Sequence, residues 1–168
     1  VALTSKLTLQ LVATLTDALD LSTVRDPLDY TFRDSLASGT GADQADMLWH
    51  DTRTLSASAD EDLDLAGVLV NGLGDTQTFA RVKGLIIAAA SGNTNNCNVT
   101  SDGSAGVPGL FLALGDGIVV RPGGLFAWYA PDATGAVVTA TTGDLLNVAN
   151  SGAGTSVTYS VIIIGASA

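Results

Sequence analysis

Apolar stretches in this chain are short, and nearly all of them are bounded by Gly, Pro, Asn or Asp. That punctuation constrains the fold more than any single motif. Strands are predicted at Met47–Leu55, Glu61–Leu65, Val68–Val70, Phe79–Ala90 and Asn98–Thr100. More follow at Leu110–Leu114, Gly117–Val120, Leu125–Tyr129, Ala136–Thr141, Leu145–Ala149 and Ser156–Gly165. Strands recurring every 8–12 residues or so, with turn residues between them, signal a sandwich or barrel. No stretch holds the 3.6-residue period of a long amphipathic helix, which argues against parallel α/β folds. The expectation is an all-β fold, an antiparallel β-sandwich that is jelly-roll-like, over residues 45–168. Arg121-Pro122-Gly123-Gly124 reads as a tight turn, with Pro fixing one φ and Gly supplying a positive one. Asn150–Gly154 reads as a hairpin loop joining the last two strands. Those strands are apolar enough to sit centrally in a sheet.

Residues 1–44 are more charged and less regular. Leu7, Leu9, Leu11, Ala13 and Leu15 alternate with polar residues and share one face of a strand. Asp17–Asp26 has no clear period. Asp26-Pro27 could open a helix that ends at Gly39, yet Leu28, Tyr30 and Phe32 alternate as a strand does, and the strand reading is preferred. The whole segment is expected to be an irregular N-terminal arm or a pair of edge strands. A short echo, Asp17–Val24 against Glu61–Val68, hints at a duplication.

Charge narrows the partners. Seven basic residues against seventeen acidic ones give a net charge of −10. There is no Lys/Arg cluster to replace phosphate counterions, so nucleic acid is not an expected partner, and anionic membranes should repel the chain. Residues 1–84 hold thirteen acids and six bases, whereas residues 85–168 hold four acids and one base. The sparsely charged second half suits dense packing in an assembly. The longest apolar runs, Gly84–Ala90 and Val161–Ala166, are too short to span a bilayer. Thr8, Gln10, Thr14 and Thr16 interrupt any apolar leader, so no signal peptide is expected. Val1 fits removal of an initiator methionine.

No constellation for chemistry emerges, and neither enzyme activity nor a cofactor is expected. The single histidine, His50, is adjacent to Asp51, but neighbours on a strand point to opposite faces. The single cysteine, Cys97, rules out an internal disulfide and reads as a small core or loop thiol. Asp60-Glu61-Asp62-Leu63-Asp64 starts like a calcium loop, yet Leu65 and Asn71 stand where the motif needs Gly and Glu, so no metal site is expected. Trp49, Trp128 and Tyr129 read as core or interface residues. The glycine-rich stretches 103–109 and 152–154 lack the context of a phosphate loop.

From Gly39 onward the chain resembles a family of small structural proteins of tailed bacteriophages. The resemblance is carried by Gly39-Thr-Gly-Ala-Asp-Gln-Ala-Asp46, Asp51-Thr-Arg-Thr-Leu-Ser-Ala-Ser58 and Asp62-Leu-Asp-Leu-Ala-Gly67. Phe79-Ala-Arg-Val-Lys-Gly-Leu85, Gly92-Asn-Thr-Asn-Asn96, Val120-Arg-Pro-Gly-Gly124 and Ala130-Pro-Asp-Ala-Thr-Gly135 continue it. Gly143-Asp-Leu-Leu-Asn-Val-Ala-Asn150 and Ser156-Val-Thr-Tyr-Ser-Val-Ile-Ile-Ile-Gly165 end it. Residues 1–38 match the pattern least. The resemblance implies a virion protein made in the host cytoplasm. Its role would be capsid decoration, or cement, on the outer surface of the phage head, with the major capsid protein and copies of itself, as a homotrimer, for partners. Leu7, Leu9, Leu11, Tyr30 and Phe32 are the expected interface residues. The alternative is a tail-tip or head-fibre protein that recognises the host surface through the loops Asn93–Asn96 and Gly103–Gly109. A free bacterial β-sandwich that binds or cleaves carbohydrate is a third possibility.

Overall fold

The computed structural model describes residues 2–168. Val1, on which the initiator-methionine expectation rests, lies outside the described residues. All regular elements among them are strands. In chain order these are β1 (Ser5–Ala18), β2 (Thr23–Ser38), β3 (Gln44–Ala45), β4 (Met47–Leu55), β5 (Asp60–Asp64), β6 (Leu69–Val70) and β7 (Thr76–Gln77). Then follow β8 (Arg81–Ala89), β9 (Cys97–Ser101), β10 (Gly117–Val120), β11 (Leu125–Tyr129), β12 (Ala136–Val137), β13 (Leu145–Asn150) and β14 (Val157–Ala166).

Two antiparallel sheets face each other as a sandwich. One runs β10-β9-β13-β5; the other runs β11-β8-β14-β4, with β12 also paired to β8. Of the eight long sandwich strands, the first pairs with the last (β4 with β14) and the second with the seventh (β5 with β13). The third pairs with the sixth (β8 with β11) and the fourth with the fifth (β9 with β10). This is the order of one long ribbon folded back on itself and rolled into two layers.

Alternation puts the core between the layers. Leu85, Ile87, Val161, Ile163 and Trp49 point inward from the five-stranded sheet; Val99, Leu146, Val148 and Leu63 meet them from the other. Burying each large aliphatic side chain contributes about 1.5–3 kcal/mol. The expected turn at Arg121–Gly124 forms: the Gly124 N–H donates to Arg121 O at 2.7 Å, and Gly123 takes the positive φ of 72° that glycine tolerates.

Four expectations need correction. Residues 5–38 are not irregular: β1 and β2 form one antiparallel hairpin with fourteen paired rungs, from Ser5–Leu36 to Ala18–Thr23. Leu110–Leu114 is a turn-rich loop rather than a strand, and Leu112 is fully exposed at its tip. Asn150–Gly154 does not close a hairpin. β13 and β14 both sit centrally, as expected, but in different sheets, so the loop arches across the sandwich. The echoed segments take different structures. Asp17–Val24 is the hairpin tip, and Glu61–Val68 is most of β5 and the turn after it.

Candidate functional site

The strongest candidate is the β1–β2 arm together with the sheet face beside its root. A β-hairpin displays paired residues on a common face. The register therefore gathers Leu7, Leu9, Leu11, Ala13 and Leu15 with Leu28, Tyr30 and Phe32 on one face. The opposite face carries Thr8, Gln10, Thr14 and Thr16 with Arg25, Thr31 and Arg33. The arm is thus amphipathic, but its apolar face lies largely in water: Leu11 is 57% exposed, Leu15 74% and Tyr30 57%. Extended strands rise about 3.4 Å per residue, so fourteen rungs reach roughly 48 Å.

Only the root of the arm is anchored. Leu36 is buried, Phe32 meets Tyr129 edge to face at 6.1 Å, and the Tyr129 hydroxyl donates to Asp34 Oδ2 at 3.0 Å. Burial, and then the Asp34 carboxylate, raise the Tyr129 phenol above its ordinary pKa. Behind the root, the Asp43 N–H donates to Pro131 O at 2.7 Å, and the Ala37 N–H to Asp43 O at 2.9 Å.

Lys83 closes this joint. It sits on β8 where the pairing with β14 slips a register, between Val82–Gly165 and Gly84–Ile164. Such irregularities re-aim a side chain. The enclosed Lys83 ammonium donates to the Gly41 and Asp132 carbonyls, tying the arm's exit loop to the loop after β11. Desolvation lowers its pKa.

Between the arm root and the outer face of the five-stranded sheet lies a crevice of about 240 Å³. Leu7, Leu36, Ile86, Trp128, Ile162 and Ile164 line it almost entirely with carbon. An apolar cavity of about 150 Å³ already admits a benzene-sized guest. Two residues of its wall, Leu48 and Ile162, remain partly exposed on that sheet face.

The residues weighed for chemistry are not brought together. His50 points outward from β4, and its neighbour Asp51 holds Arg53 Nη1 at 3.1 Å. Cys97 is wholly buried in the other sheet, where burial raises its thiol pKa. Asp60, Asp62 and Asp64 occupy outward positions of β5; Asn147 Nδ2 donates to Asp60 at 3.1 Å and to Asp62 at 2.8 Å. Trp49 belongs to the core, whereas Trp128 and Tyr129 are half-buried beside the crevice. No group of three metal-ligating side chains forms among the described residues.

The loop Asn93–Asn96 is occupied internally. Asn93 Oδ1 accepts the Thr158 N–H at 2.9 Å, and Asn95 Nδ2 donates to Asn150 Oδ1 at 3.0 Å. In the Gly103–Gly109 loop, Asp102 Oδ1 accepts the Ser104 and Ala105 N–H groups at 2.9 and 2.7 Å. The five expected interface residues, Leu7, Leu9, Leu11, Tyr30 and Phe32, lie together on one face of the arm, whereas Leu48, Ile86, Ile162, Ile164 and Lys83 beside its root were not singled out from the sequence. The alternating outward positions of β4 and β14 were the available signal for Leu48, Ile162 and Ile164. Comparison with family models, curated proteins and solved structures finds no match in any of the three.

Proposed function

We propose that this chain is a structural protein of a phage virion that decorates the outside of the head and braces its shell. One observation carries the reading: a long, regular arm leaves the sandwich with its apolar face uncovered by its own chain. A two-stranded hairpin is marginal in water by itself, so such a face calls for a partner. Both long edges of the arm also offer backbone groups for strand addition, the mode by which extended segments join a neighbouring sheet. Its apolar face, with Leu7, Leu9, Leu11, Tyr30 and Phe32, is the proposed contact with the major capsid protein and with further copies in a homotrimer. The ribbon-like strand order supports a jelly-roll reading of the rigid body behind it. The net charge of −10 suits a position outside a shell packed with DNA.

Host recognition at the tail is the less favoured reading, because the loops proposed for it are tied within the chain, Asn93 and Asn95 to Thr158 and Asn150, and Ser104 to Asp102. The test is immunogold electron microscopy of purified phage with an antibody against this chain. Regular label over the head is expected. Label confined to the tail would replace head decoration by host recognition, and absence of label would remove the virion reading.

A further inference from the structure

We infer that the distal apolar face of the arm is covered by the outer face of the five-stranded sheet of a second copy of this chain. The inference rests on reading the arm as an assembly device, and it names what the arm grips. Continuity is the first argument. The root of that same arm face already packs on that same sheet face within one chain, through buried Leu36 and through Phe32 against Tyr129. The pattern runs on without interruption into the rungs Leu11–Tyr30 and Ala13–Leu28, where nothing of the chain's own body meets it.

The acceptor supplies the second argument. Of its exposed apolar residues, Leu48 and Ile162 line the crevice beside the arm root, and Leu125 stands at the far end of β11. The positions alternating outward on β4, β8, β11 and β14 carry no carboxylate, although the chain holds seventeen. The outward positions of β5, in the other sheet, are Asp60, Asp62 and Asp64. An arm bearing Asp17 and Asp26 on its apolar face finds a neutral seat on the first sheet and a repelling one on the second. Charge also favours the arm as the element that approaches another copy. Residues 5–38 hold five acids and three bases, and residues 39–168 hold twelve acids and four bases.

Geometry keeps the two surfaces apart within a single chain. A paired ladder does not bend back on itself, and the arm reverses only at its tip, Leu19–Ser22. Donor and acceptor are different patches, so copies join either by reciprocal exchange of arms in a two-fold dimer or head to tail, in which case the rotation closes a ring or extends a filament.

The experiment uses the purified full chain without phage. Tyr30, exposed and aromatic, is replaced by the photo-crosslinker p-benzoylphenylalanine. Isotope-labelled and unlabelled copies are mixed and irradiated, and the joined peptides are identified by mass spectrometry. Crosslinks between isotopically distinct copies are expected, landing in residues 48–54, 84–88, 125–129 or 158–164. Crosslinks from arm to arm, crosslinks to the four-stranded sheet, or none between copies would overturn the inference. In sedimentation, the wild type is expected to be oligomeric, and Leu15→Asp and Ile162→Asp each to fall to monomer with unchanged circular dichroism. A monomeric wild type, or variants that stay oligomeric, would overturn it equally. Because no phage is present, failed head labelling would remove the proposed function and leave these results standing. A monomeric chain that still labels heads would do the reverse.

Discussion

Glu61 joins the two layers of the sandwich at a single carboxylate. Arg53 from the five-stranded sheet donates to its Oε2 through Nε at 3.0 Å and Nη2 at 2.6 Å, and the buried Tyr159 hydroxyl donates to Oε1 at 2.7 Å. Burial, and then Glu61, raise the Tyr159 phenol above its ordinary pKa, so it remains a donor throughout the physiological range. Tyr159→Phe leaves one carboxylate oxygen without its donor while Arg53 still holds the other. We expect a loss of about 1–2 kcal/mol, read as a lower urea midpoint at unchanged slope; an unchanged midpoint would mean that the bond adds nothing to stability. Asp102 offers a pH test. Backbone N–H groups of Ala105 and Ser104, then the Ser104 hydroxyl, hold its carboxyl at about 2. Its folded pKa lies below its unfolded one, so its contribution is complete above about pH 4 and disappears as pH falls through about 2. A carboxyl-carbon NMR titration should therefore show Asp102 turning over near pH 2, and an inflection near 4 would mean that the loop does not hold those bonds in solution. Asn150 illustrates what residue identity alone hides. It stands where a hairpin loop was expected, yet its buried amide donates to the Ser56 and Thr155 carbonyls, one of them distant in sequence. No local pattern announces such a partner.

The arm and the sandwich are separable at the scale of elements. The contiguous core contains no residue of the arm; of the arm only Leu36, at its root, is deeply buried. Replacing residues 9–32 by a two-residue Asn-Gly turn between Thr8 and Arg33 should therefore leave the body folded, with a change within about 1 kcal/mol in urea unfolding. Loss of cooperative unfolding would show that the arm is part of the folding unit. Strands whose sides differ in environment were legible in sequence. Met47–Leu55 alternates because Trp49 and Leu55 enter the core while His50 and Thr52 meet water. Leu7–Leu15 and Leu28–Phe32 alternate in the same way, and the structure makes both of them strands of the arm. Their union as one hairpin was hidden. Its tip, Leu19-Asp20-Leu21-Ser22, has no Gly or Asn, and Asp26-Pro27 imitates a helix start. Pro27 is tolerated because it lies opposite Thr14 in a two-stranded ribbon, where its missing N–H can face outward. Leu110–Leu114 misled in the opposite sense. An apolar run reads as a strand, but this one forms only an isolated bridge, Phe111 with Pro108, and leaves Leu112 in water. The crevice was invisible for another reason: it is made where Leu7 and Leu36 meet Ile86 and Ile162, a juxtaposition set by the direction in which the arm leaves the body.

Two opposed forces govern the whole molecule when copies meet. Each copy carries −10, and that charge repels at long range. The surfaces proposed to join are apolar, and the acceptor has no carboxylate to form an ion pair with Lys6, Arg25 or Arg33. Salt acts on these terms in different ways. Raising ionic strength shortens the screening length from about 30 Å at 0.01 M to about 10 Å at 0.1 M, which suppresses repulsion between bodies. It leaves apolar burial intact, and excluded salts such as sulfate strengthen it. Self-association of the purified chain should accordingly tighten as sodium chloride rises from about 0.01 to about 0.3 M, and tighten further in sulfate at equal ionic strength. An interface built on ion pairs gives the opposite sign, because screening then removes attraction. Sedimentation velocity across a salt series separates the two. An association that weakens with salt would place the basic face of the arm, rather than its apolar face, at the contact.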